Sequence, residues 1–120
     1  MFNFSRPSHL VQGEKSEHQA YHYLLQQGLQ LVEKNFSCKY GEIDLIMREA
    51  NILVIVEVRF RKSNKYGGAL ESISQKKQSR IIATTQYYLS SHKIDSLIRF
   101  DVITMSNDHD INWIKNAFQT

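Results

Sequence analysis

Residues 41–61, GEIDLIMREANILVIVEVRFR, decide the fold because they predict two β-strands joined by a tight turn. Apolar and polar residues alternate in EIDLIMRE and again in ILVIVEVRFR, as they do in half-buried strands. Ala50 and Asn51 form a natural two-residue loop between the two strands. Glu49 therefore pairs with Ile52, and this pair fixes the register of the whole predicted hairpin.

Two carboxylates meet across this hairpin. Counting outward from the loop places Asp44 directly opposite Glu57, with both side chains on the same face. Opposed Cβ atoms lie about 4.5–5.5 Å apart, and like charges so placed repel. We therefore expect a positive group between the two carboxylates, and a divalent metal ion in a hydrolytic site is the sharpest hypothesis. The alternative is that each carboxylate pairs with a nearby arginine, such as Arg59 or Arg99, in a solvated cluster.

The hairpin has one apolar face, which must pack on a helix. We assign to it Val54, Val56, Val58 and Phe60 from the second strand, with Ile43, Leu45 and Met47 from the first. The opposite face is apolar near the loop and turns polar toward the far end, where Asp44 and Glu57 stand. This pattern predicts a core that ends in a cleft.

The remaining segments predict a mixed α/β domain of order α-β-β-β-α-β. A helix is predicted from Gly13 to Gly28, a strand at Leu29–Phe36, a second helix from about Leu70 or Ser72 to Ser90, and a fourth strand at Ile98–Met105. INWIKNAF is predicted to be a fifth strand that passes into a short helical end. The long crossover predicts that the third and fourth strands are parallel. Residues 1–12 are interpreted as a flexible N-terminus, and residues 13–120 as a single domain.

Composition bounds the setting of the protein. The net charge of +3 and pI near 9.0 permit a nucleic-acid partner without requiring one. A lone cysteine, Cys38, excludes an internal disulfide and is consistent with a reducing cytoplasm. We also expect no signal peptide and no membrane partner, because no apolar stretch is long enough for either.

Glu17 is a candidate for the same site. It lies near the middle of the helix stripe formed by Ala20, Tyr21 and Leu24, which should face the sheet. A carboxylate there is costly to bury unless a positive group meets it. The alternatives are a favourable position near the positive end of the helix dipole, or an exposed helix end.

Two cationic residues could act on a phosphate at the site. Arg59 follows Glu57 on the same face and could stabilise developing negative charge, although it could also pair with Glu42 at the rim. Lys77 interrupts the apolar stripe of the second helix, so it either extends to the surface or reaches toward the carboxylates.

Further basic residues form a candidate nucleic-acid surface. They are Arg61, Lys62, Lys65, Lys76 and Arg80. These residues either follow a phosphate backbone beside the carboxylates or form an ordinary solvated face. Tyr87 and Tyr88 are interpreted as packing residues rather than as a stack for bases.

The chain resembles the YraN family of small bacterial proteins. The resemblance rests on GEIDLI at 41–46 and VIVEVRFR at 54–61, and it continues at Glu17, at Gly67-Gly68-Ala69 and at Arg99-Phe100-Asp101-Val102. That family is similar to the PD-(D/E)XK nuclease superfamily and, within it, to archaeal Holliday junction resolvases. The resemblance implies a restriction-endonuclease-like core, with a mixed sheet flanked by helices.

The resemblance also implies roles for individual residues. Asp44 and Glu57 match the motif carboxylates, Glu17 matches the first-helix glutamate, Lys77 matches a polar residue that lines the site, and Arg59 occupies the position of the motif lysine. Arginine is not equivalent to lysine there, because guanidinium stays protonated. Asp44, Glu57, the Val58 carbonyl and Glu17 are expected to hold Mg²⁺ or Mn²⁺.

The expected function is metal-dependent hydrolysis of DNA, with branched or otherwise structured DNA as a refinement. Paired cuts by a resolvase would need a homodimer. Two alternatives stay open: a nucleic-acid-binding protein of the same fold without catalysis, and an accessory module that binds another protein.

Overall fold

The predicted hairpin forms the centre of the molecule, and the other elements are added to its two edges and faces. The computed structural model describes residues 8–61, 73–106 and 110–120, with side chains from residue 12 onward. The elements are α1 (Ser8–Gln26), β1 (Gln30–Cys38), β2 (Gly41–Glu49), β3 (Ile52–Arg61), α2 (Gln75–Ser91), β4 (Leu97–Ser106) and β5 (Ile111–Phe118). The prediction of a mixed α/β arrangement is confirmed.

The five strands form one mixed sheet in the order β1-β2-β3-β4-β5. Glu49 pairs with Ile52 across the two-residue loop, as the sequence predicted, and Ala50 there has a φ of 54°. β3 and β4 run parallel, and the other neighbours run antiparallel. The α2 crossover connects the parallel pair, so the predicted direction of these strands is confirmed.

Each helix covers one face of the sheet with an apolar core. On the α1 side, Ala20 and Leu24 pack with Leu45, Met47, Val54, Val56 and Ile103. On the α2 side, Ile81 and Tyr88 pack with Ile46, Leu53, Ile55, Phe100 and Val102. The alternation of β3 therefore separates two cores, which is why every residue from Leu53 to Glu57 is buried. Within the described residues, no helix is long and apolar enough to cross a membrane.

The expected position of Ile43 is wrong. Ile43 packs with the α2-side core, whereas Leu45 and Met47 pack on the α1 side. β1 pairs with β2 on both sides of Asn35 and Asp44, but these two residues form no pair, and Asn35 has a φ of 53°. This irregularity changes the face to which β2 turns its side chains between Ile43 and Leu45.

Some predicted boundaries also differ from those observed. α1 begins at Ser8 rather than at the predicted Gly13. The flexibility of residues 1–12 stays a prediction. β5 continues as a strand to Phe118, which pairs with Phe100, so the predicted helical end is wrong. The proposed start of the second helix at Leu70 or Ser72 lies outside the described residues. α2 begins after Ser74, whose side chain accepts a hydrogen bond from the Lys77 amide as an N-cap. The single-domain assignment stays a prediction.

Candidate active site

Asp44 lies where β2 and β3 stop pairing. The last backbone pair of the hairpin is Leu45 with Val56, and the same register continued by one residue sets Asp44 beside Glu57. Instead of a backbone partner, the Val58 N–H donates to the Asp44 Oδ2 atom at 2.8 Å. The Asp44 carboxyl group therefore spans the opening between the two strands and is held there by β3.

Glu57 is the most deeply buried acid of the group. It is only 5% exposed, at the point where the alternation of β3 turns its side chain toward α2. The Lys77 Nζ atom lies 2.8 Å from Glu57 Oε1, and Arg59 Nη1 lies 3.9 Å from the same oxygen. The contact with Glu57 supports the alternative in which Lys77 reaches toward the carboxylates.

Glu17 comes to the same place from α1. The neighbouring Asp44 and Asn35 side chains affect the pKa of its carboxyl group. The pKa of Asp44 is in turn affected by both Glu17 and Glu57. A hydrogen bond between two of these carboxyl groups would need a proton on one of them. Three acids from α1, β2 and β3 therefore share one partly buried position, which we call the carboxylate cluster.

The electrostatics of the carboxylate cluster oppose full ionisation. Burial raises the pKa of Asp44 to about 6, and the Glu17 charge adds to this rise. Burial, followed by repulsion from Asp44, raises the pKa of Glu57 to about 7, although Lys77 and Arg59 act in the opposite direction. Burial also raises the pKa of Glu17. Without a further positive group, the cluster cannot carry three negative charges at neutral pH at low cost.

The donor chemistry fits a hard divalent cation. Carboxylate oxygens are the preferred ligands of Mg²⁺ and Mn²⁺, and the repulsion among the three acids is what such an ion would relieve. In the conformation observed, however, no three His, Cys, Asp or Glu side chains among the described residues are arranged to hold an ion. The Lys77 ammonium engages one Glu57 oxygen. An ion bound by Glu57 would therefore compete with Lys77.

The other predicted site residues that the structure describes lie on β3 and α2. Val58, Arg59, Phe60 and Arg61 line an open cavity of about 410 Å³ at the end of β3. Lys76 and Arg80 are exposed on α2. Lys62 and Lys65 lie outside the described residues. The cavity and the α2 cations are placed where a ligand could approach Glu57 from β3 and α2.

The sequence did not reveal a second buried charge cluster, which is centred on Asp101. Arg99 donates to both Asp101 carboxylate oxygens, at 2.8 and 2.9 Å, and to Glu49 at 2.7 Å. Trp113 Nε1 and the Asn116 backbone N–H also donate to Asp101, each at 2.9 Å. Arg99 thus pairs with Asp101 and Glu49, so the predicted alternative in which it neutralises Asp44 or Glu57 is not what these contacts show. An aspartate within the apolar strand IRFDVITM was the available signal, since a buried charge requires partners.

The molecule is a small α/β protein. Acids from α1, β2 and β3 form its carboxylate cluster beside Lys77, and this arrangement defines its class. The chain belongs to the uncharacterised protein family UPF0102, whose model matches residues 16–105. The resemblance to the YraN family is thereby confirmed.

Similar proteins with the same family designation occur in several bacteria. A UPF0102 protein of Nitrosomonas europaea is 49% identical over 88% of this chain and 92% of its own length. One from Janthinobacterium sp. (strain Marseille) is 48% identical over 97% and 95%, respectively. A third, from Shewanella loihica, is 44% identical over 92% and 96%. The similarity therefore extends over almost the whole of each chain.

Proposed function

We propose that this protein is a metal-dependent DNA endonuclease with a restriction-endonuclease-like core. The observation that carries the proposal is the convergence of Glu17, Asp44 and Glu57 beside Lys77 at the point where the central hairpin opens. A buried group of acids that resists ionisation has little value for stability, whereas it is suited to binding a cation. Branched or structured DNA is the proposed substrate, in the cytoplasm.

The three acids of the carboxylate cluster share one proposed role, which is to hold the metal ion. Asp44, Glu57, the Val58 carbonyl and Glu17 would hold Mg²⁺ or Mn²⁺. When bound, the ion would lower the pKa of a water molecule and neutralise charge on the scissile phosphate. The Val58 N–H fixes the orientation of the Asp44 carboxylate through the 2.8 Å hydrogen bond.

The cations next to the cluster act on the phosphate. The Lys77 ammonium lies on the Glu57 carboxylate and is therefore positioned to stabilise negative charge that develops beside it. Arg59 lies farther out, at 3.9 Å from Glu57, and can pair with a non-bridging phosphate oxygen. Neither the arginine nor the paired lysine is assigned the role of general base.

A specific observation favours a second candidate, a nucleic-acid-binding protein of the same fold without catalysis. Lys77 already neutralises part of the Glu57 charge. The resemblance also implies that Arg59 stands in the position of the motif lysine. A cluster balanced by its own lysine could keep the fold without using a metal ion.

A cleavage assay separates the two candidates. A four-way DNA junction and a linear duplex of the same sequence are incubated with the protein while Mg²⁺ or Mn²⁺ is titrated. Metal-dependent cutting that is lost in Asp44→Asn supports the endonuclease. Asp95→Asn, an exposed aspartate outside the cluster, is the matched control and should cut like the wild type.

The remaining outcomes are also informative. Binding of the junction without cleavage at any metal concentration would favour the non-catalytic candidate. If the protein neither binds nor cleaves the junction, both nucleic-acid candidates are contradicted. That result would favour an accessory protein-binding module. Paired symmetrical cuts would in addition need a homodimer, which light scattering should detect as a mass of about twice 14.0 kDa.

A further inference from the structure

An exposed row of two cations and a tyrosine runs along the outer side of α2. Lys76, Arg80 and Tyr87 are all exposed. They are spaced by four and seven residues, so they lie on one side of the helix and span about 16 Å along its axis. This row is distinct from the stripe of Ile81, Thr84 and Tyr88, which faces the sheet.

Tyr87 is joined in this surface by Tyr40 from the turn between β1 and β2. The two rings are 43% and 45% exposed, and their centroids lie 6.1 Å apart. Phe36 packs against Tyr87: its ring lies 6.3 Å from that of Tyr87 at an interplanar angle of 29°. Tyr88 is buried as expected. Tyr87 stacks on Phe36, in line with its predicted packing role, and is also 43% exposed. We call Tyr40 and Tyr87 the tyrosine pair.

Gly41 allows the tyrosine pair to approach the basic residues. A Cβ atom on Gly41 would lie 3.2 Å from Thr84 Oγ1 and 3.6 Å from the Arg80 Cβ, and its φ of 149° strains other residues. The start of β2 therefore lies directly against α2, with Tyr40 next to Arg80. Lys39 adds a second cation, since its Nζ atom lies 5.2 Å from the centre of the Tyr40 ring. The tyrosine pair thus has positive charge on two sides.

We propose that the tyrosine pair stacks on unpaired bases of a nucleic acid while Lys76, Arg80 and Lys39 contact its phosphates. Every base has a π-face and every nucleotide a negative phosphate, so exposed rings between cations complement a single strand. A duplex offers phosphates but no free base faces, so it can use only the cations. This inference rests on the proposed function for the choice of nucleic acid, and it names the substrate class: DNA with an unpaired segment.

The length of α2 between Lys77 and Tyr87 gives the distance from the carboxylate cluster to the tyrosine pair. Lys77, which contacts Glu57, precedes Tyr87 by ten residues on α2. Ten helical residues span about 15 Å along α2. The unpaired bases should therefore lie about 15 Å from the phosphate that meets the carboxylate cluster.

Fluorescence anisotropy in the presence of EDTA tests the inference without any cleavage. The probes are a labelled oligothymidine of about 20 nucleotides and a duplex of equal length. Tyr40→Ala and Tyr87→Ala should each weaken binding of the oligothymidine by about tenfold, while Tyr87→Phe should stay within about twofold of the wild type. Leu97→Ala removes an exposed apolar side chain at the start of β4, and this control should bind like the wild type.

Duplex binding should change little in the tyrosine variants. The inference is overturned if the wild type does not bind the oligothymidine, if the alanine variants bind it unchanged, or if they lose duplex binding equally. Tyr87→Leu keeps an apolar side chain of similar bulk without a ring, and thermal unfolding verifies that each variant is folded. Tyrosine-dependent binding without any cleavage would refute the endonuclease alone, whereas cleavage with tyrosine-independent binding would refute the tyrosine pair alone.

Discussion

The Asp44 carboxyl group takes the place of a backbone partner that β2 has lost. The hairpin pairing ends at Leu45 and Val56, and the Val58 N–H then donates to the Asp44 side chain instead of to a carbonyl. The hydrogen bond from Val58 holds the Asp44 carboxyl group in the opening between β2 and β3. It also places a second acid, Glu57, within reach on the adjacent strand, at the cost of repulsion that burial strengthens.

Burial of Glu57 and its repulsion from Asp44 predict that the free energy of unfolding falls as pH rises. The pKa of Glu57 is raised from 4.5 to about 7 in the folded protein. Between these values the folded state holds more protons than the unfolded state, so the free energy of unfolding declines with increasing pH. The stabilisation is fully present below about pH 4 and is lost through about pH 7, with a total on the order of 2–3 kcal/mol.

Urea unfolding between pH 5 and 8 in EDTA measures this effect. Glu57→Gln should flatten the pH dependence and make the protein more stable than the wild type at pH 8. Asp95→Asn should leave the pH dependence unchanged, because that residue is exposed and away from the cluster. A wild-type protein that becomes more stable between pH 5 and 8 would contradict the raised pKa values.

At the scale of elements, α2 supplies the cation of the carboxylate cluster. Ser74 caps the helix, and Lys77 follows in its first turn with its ammonium 2.8 Å from Glu57. Replacing Lys77 by Met removes a charge that competes with a metal ion, so at pH 8 the affinity for Mn²⁺ should rise about tenfold. Cleavage should fall in the same variant, since the cation beside the phosphate is lost.

Calorimetric titration of Mn²⁺ separates these two effects of Lys77. Lys77→Arg keeps the charge and should bind Mn²⁺ like the wild type. Weaker Mn²⁺ binding by Lys77→Met would show that the lysine supports the metal site rather than competing with it.

The contact between β4 and β5 depends on a different acid. Asp101 is fully buried and accepts hydrogen bonds from Arg99, Trp113 and Asn116. Asp101→Asn leaves the Arg99 charge without its main partner and should lower the free energy of unfolding by about 3–5 kcal/mol. Cleavage per folded molecule should not change, because this network has no contact with the carboxylate cluster in the described residues. Unfolding in urea at low temperature checks the first effect, and a large loss of specific cleavage by fully folded protein would argue against a purely structural role.

The elements that followed a simple period were predictable from the sequence. Alternation on both sides of a two-residue loop determined the register, so the proximity of Asp44 and Glu57 could be foreseen. Glu17 and Lys77 were found because a charge interrupts an apolar helix stripe. The helical period also places Tyr88 in line with Ile81 and Thr84, and Tyr87 on another side of α2. The sequence analysis nevertheless treats both tyrosines as packing residues.

The backbone irregularities in β1 and β5 could not be predicted from the sequence. Asn35 adopts a φ of 53° opposite Asp44, and Asn116 has a φ of 54° in β5 next to Asp101. The Asn35 side chain affects the pKa of Glu17, and the Asn116 N–H donates to the buried Asp101. Neither irregularity changes the pattern of apolar residues before it. Ile43 was consequently placed on the wrong face, and the end of β5 was interpreted as helical.

At the scale of the whole molecule, charge is distributed unevenly although its net value is only +3. Lys76 and Arg80 lie on the outer side of α2, and Arg61 lies at the end of β3 near the 410 Å³ cavity. If about four such cations contact phosphates, the logarithm of DNA affinity should fall with a slope of about −3.6 against the logarithm of salt concentration. Between about 50 and 200 mM salt, affinity for a duplex should then decrease about 10²-fold.

Single substitutions assign this slope to one side of the molecule. Lys76→Ala and Arg80→Ala should each reduce it by about 0.9, because each removes one phosphate contact. Lys115 is the matched control: its Nζ atom lies 4.3 Å from the centre of the Trp113 ring, and Trp113 packs with the α1-side core. Lys115→Ala should therefore leave the slope unchanged. An equal reduction in all three variants would indicate a diffuse field rather than a nucleic-acid surface on α2, and a slope near zero in the wild type would exclude phosphate contacts as the basis of binding.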